Sequence, residues 1–267
     1  MTPEWRSYDS VAAIHDSLAV PIVFLRPAQD LLARMDAPAA RTILDVGTGT
    51  GVAALLASQA VAPTGIVVAL DLSGPMLRAA RDHGLPCVVS GTVPHLPFAN
   101  ATFDRVLASF VLSHLRSYKA SLADMVRTLK PGGRIGATAW GPMENEFREY
   151  WRSLAEPLIG KEELRAALQE ALPWEEWFWD PASLREAFQE AGLSDVAVET
   201  KQYVNRMSIS DFLGLREMSM QARFIRQTTD AGAWQRFRKT ASEEFRSRFK
   251  EPIDDVRDVH IAIGSRS

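Results

Sequence analysis

The residues in this chain best suited to chemistry stand where two predicted strands end. The run Ile43–Gly51 leads from apolar β-forming residues into three glycines at alternate positions, and Val52–Ala57 after it predicts a helix. Glycine permits positive φ and lets a ligand approach the backbone closely, so such a turn is typical of a phosphate or nucleotide cradle in a doubly wound α/β fold. Alone, this glycine pattern is a weak signal.

A carboxylate follows the next predicted strand at the spacing expected for ribose binding. Ile66–Leu70 is a continuous apolar run, typical of a strand buried on both faces, and it ends on Asp71, twenty positions after Gly51. A carboxylate at that place in a nucleotide-binding fold accepts hydrogen bonds from the ribose hydroxyls. Asp71 could instead cap the helix predicted after it, although Ser73 can also supply that cap. Because strand, loop and spacing agree, we favour the ribose role.

The elements that must position these residues alternate between strand and helix. The pattern predicts a doubly wound, mostly parallel sheet of seven strands with right-handed crossovers and a helical cap. The predicted strands are Thr42–Val46, Ile66–Leu70, Pro86–Ser90, Phe103–Ser109, Arg134–Trp140, Val196–Thr200 and Val259–Ile263.

The chain divides into a core and the helical segments around it. We predict an N-terminal helical segment over 1–40, which Pro21, Pro27 and Pro38 divide into short helices. The predicted α/β core spans 41–141, with a sixth strand over 192–204 and a last strand over 257–267. Between them, 142–191 and 205–256 are predicted to form the two insertions of the cap.

Composition excludes several classes of protein. The chain has 267 residues, 46% of them hydrophobic, and a formal net charge of -3, which gives no reason to expect nucleic acid as a partner. The single cysteine, Cys87, excludes an intrachain disulfide, and no cluster at metal-ligand spacing is visible, so we expect no metal. The sequence shows no signal-peptide pattern and no uncharged apolar run of membrane-spanning length, so we expect a cytoplasmic protein without a membrane span.

Five motifs in their order along the chain resemble the class I S-adenosylmethionine (SAM)-dependent methyltransferases, most closely the ubiquinone/menaquinone-biosynthesis-type branch. They are Ile43–Gly51, Leu70–Ser73, Leu96–Phe98, Phe103–Val106 and Leu129–Gly133. The resemblance covers about residues 8 to 140. It implies a Rossmann-like methyltransferase fold, SAM as methyl donor with S-adenosylhomocysteine (SAH) as product, and a small-molecule methyl acceptor.

The resemblance also implies which residues would hold the cofactor, all of them at or near the carboxyl ends of the predicted strands. They are Asp45, Gly47, Thr48, Gly49, Gly51, Asp71, Leu72, Met76, Gly91, Thr92, Val93 and Ser109. Asp45 would help to orient the ammonium group, and Leu72 and Met76 would cover the adenine ring. Thr92 stands where the family commonly has an aspartate. Adenine binding there is then either weaker or carried by backbone N–H groups.

The acceptor side is less defined by the sequence. His114 lies where the family often has a histidine, so it could act as a base or hold its loop by hydrogen bonds. Tyr8, Trp140 and Trp177 are the candidate acceptor-binding residues. Trp140 belongs with the aromatic cluster Trp174–Trp179, which could line a pocket for a lipophilic or aromatic acceptor or could pack the cap onto the sheet.

Alternative functions stay open at this stage. An NAD-dependent Rossmann oxidoreductase shares the glycine loop and Asp71, but its loop normally reads G-x-G-x-x-G. A SAM-binding protein without transferase activity is the second alternative. The basic stretch Arg223–Lys250 predicts a solvated helix face, or less readily a phosphate- or RNA-binding patch. The sequence does not indicate the oligomeric state.

Overall fold

Apolar, β-branched runs form a seven-stranded sheet in this computed structural model, which describes residues 3–61, 64–142 and 145–267. The strands are β1 Thr42–Val46, β2 Ile66–Asp71, β3 Val88–Ser90, β4 Phe103–Ser109, β5 Leu129–Trp140, β6 Ser194–Met207 and β7 Ile253–Ser265. Their order is β3-β2-β1-β4-β5-β7-β6. All neighbours from β3 to β5 are parallel, and β7 runs antiparallel to both β5 and β6.

Helices cover both faces of the sheet and its carboxyl edge. They are α1 Ala12–Ile14, α2 Leu25–Arg34, α3 Val52–Ala60, α4 Gly74–Asp82, α5 Tyr118–Thr128, α6 Glu146–Ala155, α7 Lys161–Ala171, α8 Pro181–Glu190, α9 Ile209–Glu217, α10 Met220–Thr228 and α11 Ala231–Arg248. Strands β2 and β3 lie on one side of β1, and β4 and the later strands lie on its other side, so the strand order switches between β1 and β4. In open α/β sheets, ligands bind at such a switch point, outside the carboxyl ends of the strands. The doubly wound fold predicted from sequence is confirmed.

The structure differs from the predicted boundaries at two places. Met207 at the end of β6 pairs with Ile253 at the start of β7, so this hairpin extends into the segment predicted as 205–256 cap. Helix α8, predicted to belong to the 142–191 cap, buries Leu184 and Phe188 in the core cluster of the sheet. Residues 143 and 144, near the start of the predicted 142–191 cap, lie outside the described residues.

The N-terminal segment also differs from the prediction, because Pro21 and Pro27 do not divide it, whereas Pro38 lies in a separate short helix, Ala37–Ala39. One helical run spans Asp9–Arg34, and Pro21, which lacks a backbone N–H, lies inside its π-helical stretch, His15–Phe24. By length and composition alone this run could cross a membrane. In the structure, however, Leu31 is fully buried and lies against Gly136 of β5, so this part of the run serves as a core helix.

The cap forms a hydrophobic core of its own above the carboxyl edge. Helices α6 and α7 pack against α9, α10 and α11 around Trp151, Phe212 and Phe245, each less than 2% exposed. Trp5 and Val23 from the N-terminal segment belong to the same cluster. The two insertions therefore form one body, and the space between it and the sheet is where a ligand would lie.

Candidate active site

The glycine loop after β1 adopts the conformation that its sequence predicts. Gly47, Gly49 and Gly51 have φ of 69°, 57° and 97°, a region that side chains other than glycine rarely adopt. A Cβ on Gly47 would lie 2.6 Å from Val111 Cγ2, whereas a Cβ on Gly49 would meet only His15 Cε1, at 3.5 Å. Gly47 is thus required by the packing of the protein, and Gly49 presents bare backbone to the site.

Asp45 at the end of β1 is buried beneath this loop. The Thr48 hydroxyl donates to Asp45 Oδ2 over 2.7 Å, and the carboxyl is only 1% exposed. Burial raises the pKa of Asp45 to about 7, against the effect of the Thr48 hydrogen bond. A cation placed beside this carboxyl would favour its ionised form, as expected of a group that faces an ammonium.

Asp71 at the end of β2 faces the same loop from the neighbouring strand. Its Oδ2 accepts from the Gly49 N–H at 2.8 Å, and its Oδ1 accepts from the Ser73 N–H at 2.8 Å. Ser73 itself caps α4, since its Oγ accepts from the Met76 N–H. Asp71 is half-buried and burial raises its pKa. The alternative role of Asp71 as helix cap is therefore taken by Ser73, and the carboxylate remains beside the loop.

The residues expected at the adenine lie next to Asp71. Leu72 is 73% exposed, whereas Met76 is 2% exposed beneath the first turn of α4. The Gly91 N–H donates to the Asp71 carbonyl oxygen at 3.0 Å, which brings the loop after β3 to the same edge. Thr92 is exposed, and its hydroxyl donates to the Val93 carbonyl oxygen at 3.3 Å. The loop after β3 and the start of α4 therefore both lie next to Asp71, with Leu72 and Thr92 exposed beside it.

Aromatic rings form a floor between the glycine loop and the end of β5. Trp140 stacks on Phe110 with ring centroids 4.0 Å apart, and Phe24 packs against both. His15 stacks on Phe24 at 5.1 Å and reaches Gly49 on its other side. Phe110 has a φ of 55°, held by hydrogen bonds from its N–H to Thr138, and Ser109 bonds the same threonine at 3.1 Å. Backbone strain at a strand end is a mark of functional sites.

Tyr8 and His114 meet on the opposite side of the site. Their rings make an edge contact at 5.6 Å, and the Arg223 guanidinium lies 4.6 Å over the Tyr8 ring. Burial and the charge of Arg223 lower the pKa of His114 to about 4, so this imidazole is neutral at pH 7. Burial raises the Tyr8 pKa against the effect of Arg223, and Glu175 and Asp71 raise it further, so both carboxyl groups lie within electrostatic reach of Tyr8.

Trp177 does not join Trp140. Its ring stacks on Tyr118 at 5.0 Å and packs against Phe178, in the cluster that binds α5 and α8 to the sheet. Of the two alternatives for this cluster, Trp177 therefore follows packing onto the sheet, and it does not line a pocket together with Trp140. The reason is that the Trp177 ring packs with α5 and α8 against the sheet and not with the helices of the cap.

Sequence reasoning missed several residues at the site. Arg223 was expected on a solvated helix face with the rest of the basic stretch. It is instead 5% exposed, and its guanidinium packs on the face of the Tyr8 ring. Phe24, Phe110 and Glu175 were not singled out. The available signal was position for Phe110, which directly follows β4, but nothing local marks the other three. Within the described ranges, no group of three or more His, Cys, Asp or Glu lies together as a metal site.

The switch-point crevice, the glycine loop and the half-buried Asp71 fit a ribose-bearing cofactor, because bare backbone and a carboxylate face the same space. Fold and site together define a Rossmann-like enzyme that holds an adenosyl group. A family model described as a methyltransferase domain matches residues 44–137.

Curated relatives narrow the class. The chain is 31% identical to a demethylmenaquinone methyltransferase of Geobacillus kaustophilus over 217 residues, 73% of this chain and 89% of that protein. It is also 31% identical to a ubiquinone/menaquinone biosynthesis C-methyltransferase of Ralstonia pickettii over 169 residues, 58% of this chain and 68% of that protein.

Solved structures share the fold. The YcgJ protein of a Bacillus species matches with a TM-score of 0.57 and 17% identity, over 90% of this chain and 98% of that one. A phosphoethanolamine N-methyltransferase of Haemonchus contortus, in complex with SAM, matches with a TM-score of 0.53 and 17% identity, over 90% of this chain and 52% of that one.

The chain therefore belongs to the class I SAM-dependent methyltransferases, in the branch of the ubiquinone- and menaquinone-biosynthesis enzymes. It is an enzyme whose methyl donor is SAM, and the NAD-dependent alternative falls away.

Proposed function

We propose that this methyltransferase transfers the methyl group to a small acceptor with a flat, apolar body, by in-line displacement. The observation that carries the proposal is the arrangement at the switch point. Asp71 faces the bare backbone of Gly49, and the stacked rings of Phe110 and Trp140 lie at the ends of the next two strands. A cofactor held on one side and an aromatic floor on the other would align donor and acceptor.

The proposed cofactor cradle uses loops from four strands. In this cradle Asp71 accepts hydrogen bonds from the ribose hydroxyls, and the glycine loop lies along the methionine and ribose. Asp45 lies beside the ammonium group of the methionine. The remaining contacts come from Thr48, Leu72, Met76, Gly91, Thr92, Val93 and Ser109. The exposure of Leu72, 73%, supports this placement, because an apolar side chain open beside the Asp71 carboxylate suits an adenine face.

The proposed acceptor site lies over Trp140 and Phe110, with Tyr8 on its other side. Aromatic faces suit a flat ring, and the names of the relatives, demethylmenaquinone and ubiquinone/menaquinone methyltransferases, support a ring-shaped acceptor. We leave Trp177 out of the acceptor site, because it packs on Tyr118. We also propose that the enzyme acts in the cytoplasm on a small molecule, without nucleic acid.

Methyl transfer from a sulfonium needs little acid–base help, because SAM supplies an activated leaving group. Holding the reactants close and aligned contributes roughly 7–11 kcal/mol to lowering such barriers. His114 is neutral at pH 7, and its lowered pKa makes it a weak proton acceptor. We propose that His114 positions Tyr8 through their ring contact.

Calorimetry with SAH tests the cofactor cradle. Asp71→Ala removes the carboxylate that receives the ribose, so we expect SAH affinity to fall at least tenfold, about 1.4 kcal/mol. Asp82→Ala, an exposed aspartate at the end of α4, is the matched control and should bind SAH as the unchanged protein does. Equal affinities for the two variants would refute the ribose assignment.

Steady-state kinetics test the acceptor site, with reduced demethylmenaquinone as the first test acceptor. Trp140→Ala opens the stacked floor and should raise the acceptor KM at least tenfold while SAH affinity changes less than twofold. Trp177→Ala is the matched control, since its ring lies in the sheet-packing cluster. An unchanged KM in Trp140→Ala, or a larger rise in Trp177→Ala, would move the acceptor site elsewhere.

A further inference from the structure

Three guanidinium groups from distant parts of the chain converge beside the acceptor site around one carboxylate. Arg148 of α6 donates to both oxygens of Asp255, from Nε at 3.2 Å and from an Nη at 3.1 Å. Arg257 of β7 donates from Nε to Asp255 Oδ2 at 2.7 Å. Arg216, at the end of α9, lies within electrostatic reach of both arginines. We call Arg148, Arg216 and Arg257 the arginine triad.

Asp255 cannot serve a third arginine. It is fully buried, and its two oxygens already accept from Arg148, Arg257 and the Asn145 side-chain amide, which donates at 2.7 Å. Arg216 forms no ion pair with any described residue. It donates to Gln221 Oε1 at 2.7 Å and stacks on Trp151 at 4.7 Å, while its Nε is buried without a hydrogen-bond partner.

Among the described residues, the positive charge of the triad exceeds the negative charge of the carboxylates around it. Asp255 is one negative charge against three positive ones, and burial holds the Glu175 pKa near 7 although Arg148 and Arg216 both lower it. Burial and like charges lower the Arg216 pKa to about 9, so it stays protonated at neutral pH. Uncompensated buried charge is strongly destabilising, so an excess of this kind indicates a ligand that supplies the missing anion.

The triad borders the proposed acceptor site. The Arg257 guanidinium lies 5.3 Å from the Trp140 ring centroid, and Trp140 leads through Phe110 and Phe24 toward the glycine loop. Arg216, Arg257 and Glu175 are only half-buried, although burial is the largest influence on the pKa of each. All three side chains are therefore partly accessible. The terminal nitrogens of Arg257 have no hydrogen-bond partner among the described residues.

We infer that Arg216, held by Gln221 and Trp151, and Arg257, held by Asp255, form a subsite for an oxyanion group carried by the methyl acceptor. This inference rests on the proposed function and deepens it. An acceptor of this kind is an amphiphilic anion, with its flat body on Trp140 and its carboxylate or phosphate held by Arg216 and Arg257. Reduced demethylmenaquinone carries neither group and would contact the aromatic floor alone. Guanidinium groups suit both oxyanions, because their planar forks donate two parallel hydrogen bonds.

Calorimetry on SAH-saturated protein tests the subsite with three flat probes: benzoate, phenyl phosphate and the uncharged benzamide. We expect at least one of the two anions to bind at least tenfold more tightly than benzamide. The tighter anion identifies the oxyanion, as a carboxylate if benzoate and as a phosphate if phenyl phosphate. Anions that bind no better than benzamide, including no binding by any probe, overturn the inference.

Arg216→Gln is the decisive variant, because Arg216 can be changed without breaking an ion pair. It should lower the affinity of the preferred anion at least tenfold and leave benzamide unchanged. The melting temperature of the ligand-free protein should stay the same or rise, which a merely structural arginine would not show. Arg206→Gln is the matched control, since Arg206 is an exposed arginine paired with Asp254 on the neighbouring strand. Equal anion affinities in the two variants overturn the inference.

The SAH titration separates the two proposals. SAH that binds while anions show no preference over benzamide refutes only the oxyanion subsite. If SAH does not bind, the proposed cofactor site fails, and the probes are then titrated into the protein alone with the same expected preference.

Discussion

The two halves of the site are built from different materials. On the cofactor side, most polar contacts come from backbone groups: Asp71 accepts from the N–H groups of Gly49 and Ser73, and the glycines of the neighbouring loop leave the backbone bare. On the acceptor side, the contacts come from side chains. Among the described residues, Arg216 has no ion-pair partner there.

This difference separates a general site from a particular one. A ribose and a methionine are the same in every enzyme of the class, so a cradle of backbone and one carboxylate suffices. The acceptor varies, and the groups that select it come from α6, α9 and β7, which the cap assembles.

The largest expected effect comes from breaking the centre of the acceptor half. Asp255→Asn leaves Arg148 and Arg257 buried without their carboxylate, so the free energy of unfolding should fall by about 3–5 kcal/mol. Urea denaturation measures this. Asp254→Asn is the matched control, because its ion pair with Arg206 is at the surface. A similar loss in both variants would show that the triad is not held by Asp255.

The next effect distinguishes two glycines of the cofactor half. Gly47→Ala adds a Cβ 2.6 Å from Val111 at a φ of 69°, so it should cost roughly 2–3 kcal/mol of stability. Gly49→Ala has more space and should cost only about 1–2 kcal/mol. We expect Gly49→Ala to weaken SAH binding although its loss of stability is small, because Gly49 presents bare backbone to the proposed cofactor site. Urea denaturation and calorimetry on both variants give the comparison, and equal stability losses would contradict it.

A pH titration sharpens the contrast through Glu175. Its pKa is raised to about 7 by burial, against Arg148 and Arg216, with Glu176 raising it further; Tyr8 also lies within its electrostatic reach. Below pH 7 the carboxyl is neutral and the triad is free to hold an anion. Above pH 7 the carboxylate ionises and competes, so benzoate affinity should fall several-fold, up to about tenfold, between pH 6 and 8.

Glu175→Gln provides the control for this titration. The variant should bind benzoate with the same affinity at pH 6 and at pH 8, because the glutamine does not ionise. Benzoate itself stays ionised throughout this range, so its own charge does not change. If the unchanged protein showed no fall, or if the variant kept the full fall, Glu175 would not be the group that competes with the anion.

The smallest expected effect is at His114. With its pKa at about 4, the imidazole does not change charge between pH 6 and 8, so His114→Asn should lower kcat less than about tenfold and leave the pH profile of kcat unchanged. Initial rates over that pH range measure this. A loss of several hundredfold, or the disappearance of a pH inflection near 7, would make His114 a general base instead.

Much of the fold and of the cofactor side was predictable from sequence. The alternation of apolar runs and helices predicted the strands and the doubly wound sheet, and the positive φ at Gly47, Gly49 and Gly51 follows from a motif nine residues long. The roles of those residues toward SAM stay predictions. What the sequence did not predict depends on long-range packing. Arg223 was expected on a solvated face but is buried, and only the structure shows that Trp177 packs on Tyr118.

The sequence by itself determined the sheet, the glycine loop and the carboxylate after β2, because each depends on residues that are neighbours along the chain. Only the tertiary structure decided the acceptor side, since Arg148, Arg216 and Arg257 lie far apart in sequence and meet when α6 and α9 close over β7. Nothing in a basic residue's local sequence tells whether its charge ends in water or in the interior. That depends on which helix face the rest of the fold covers, and the cost of burying the charge is known only once the neighbours are in place.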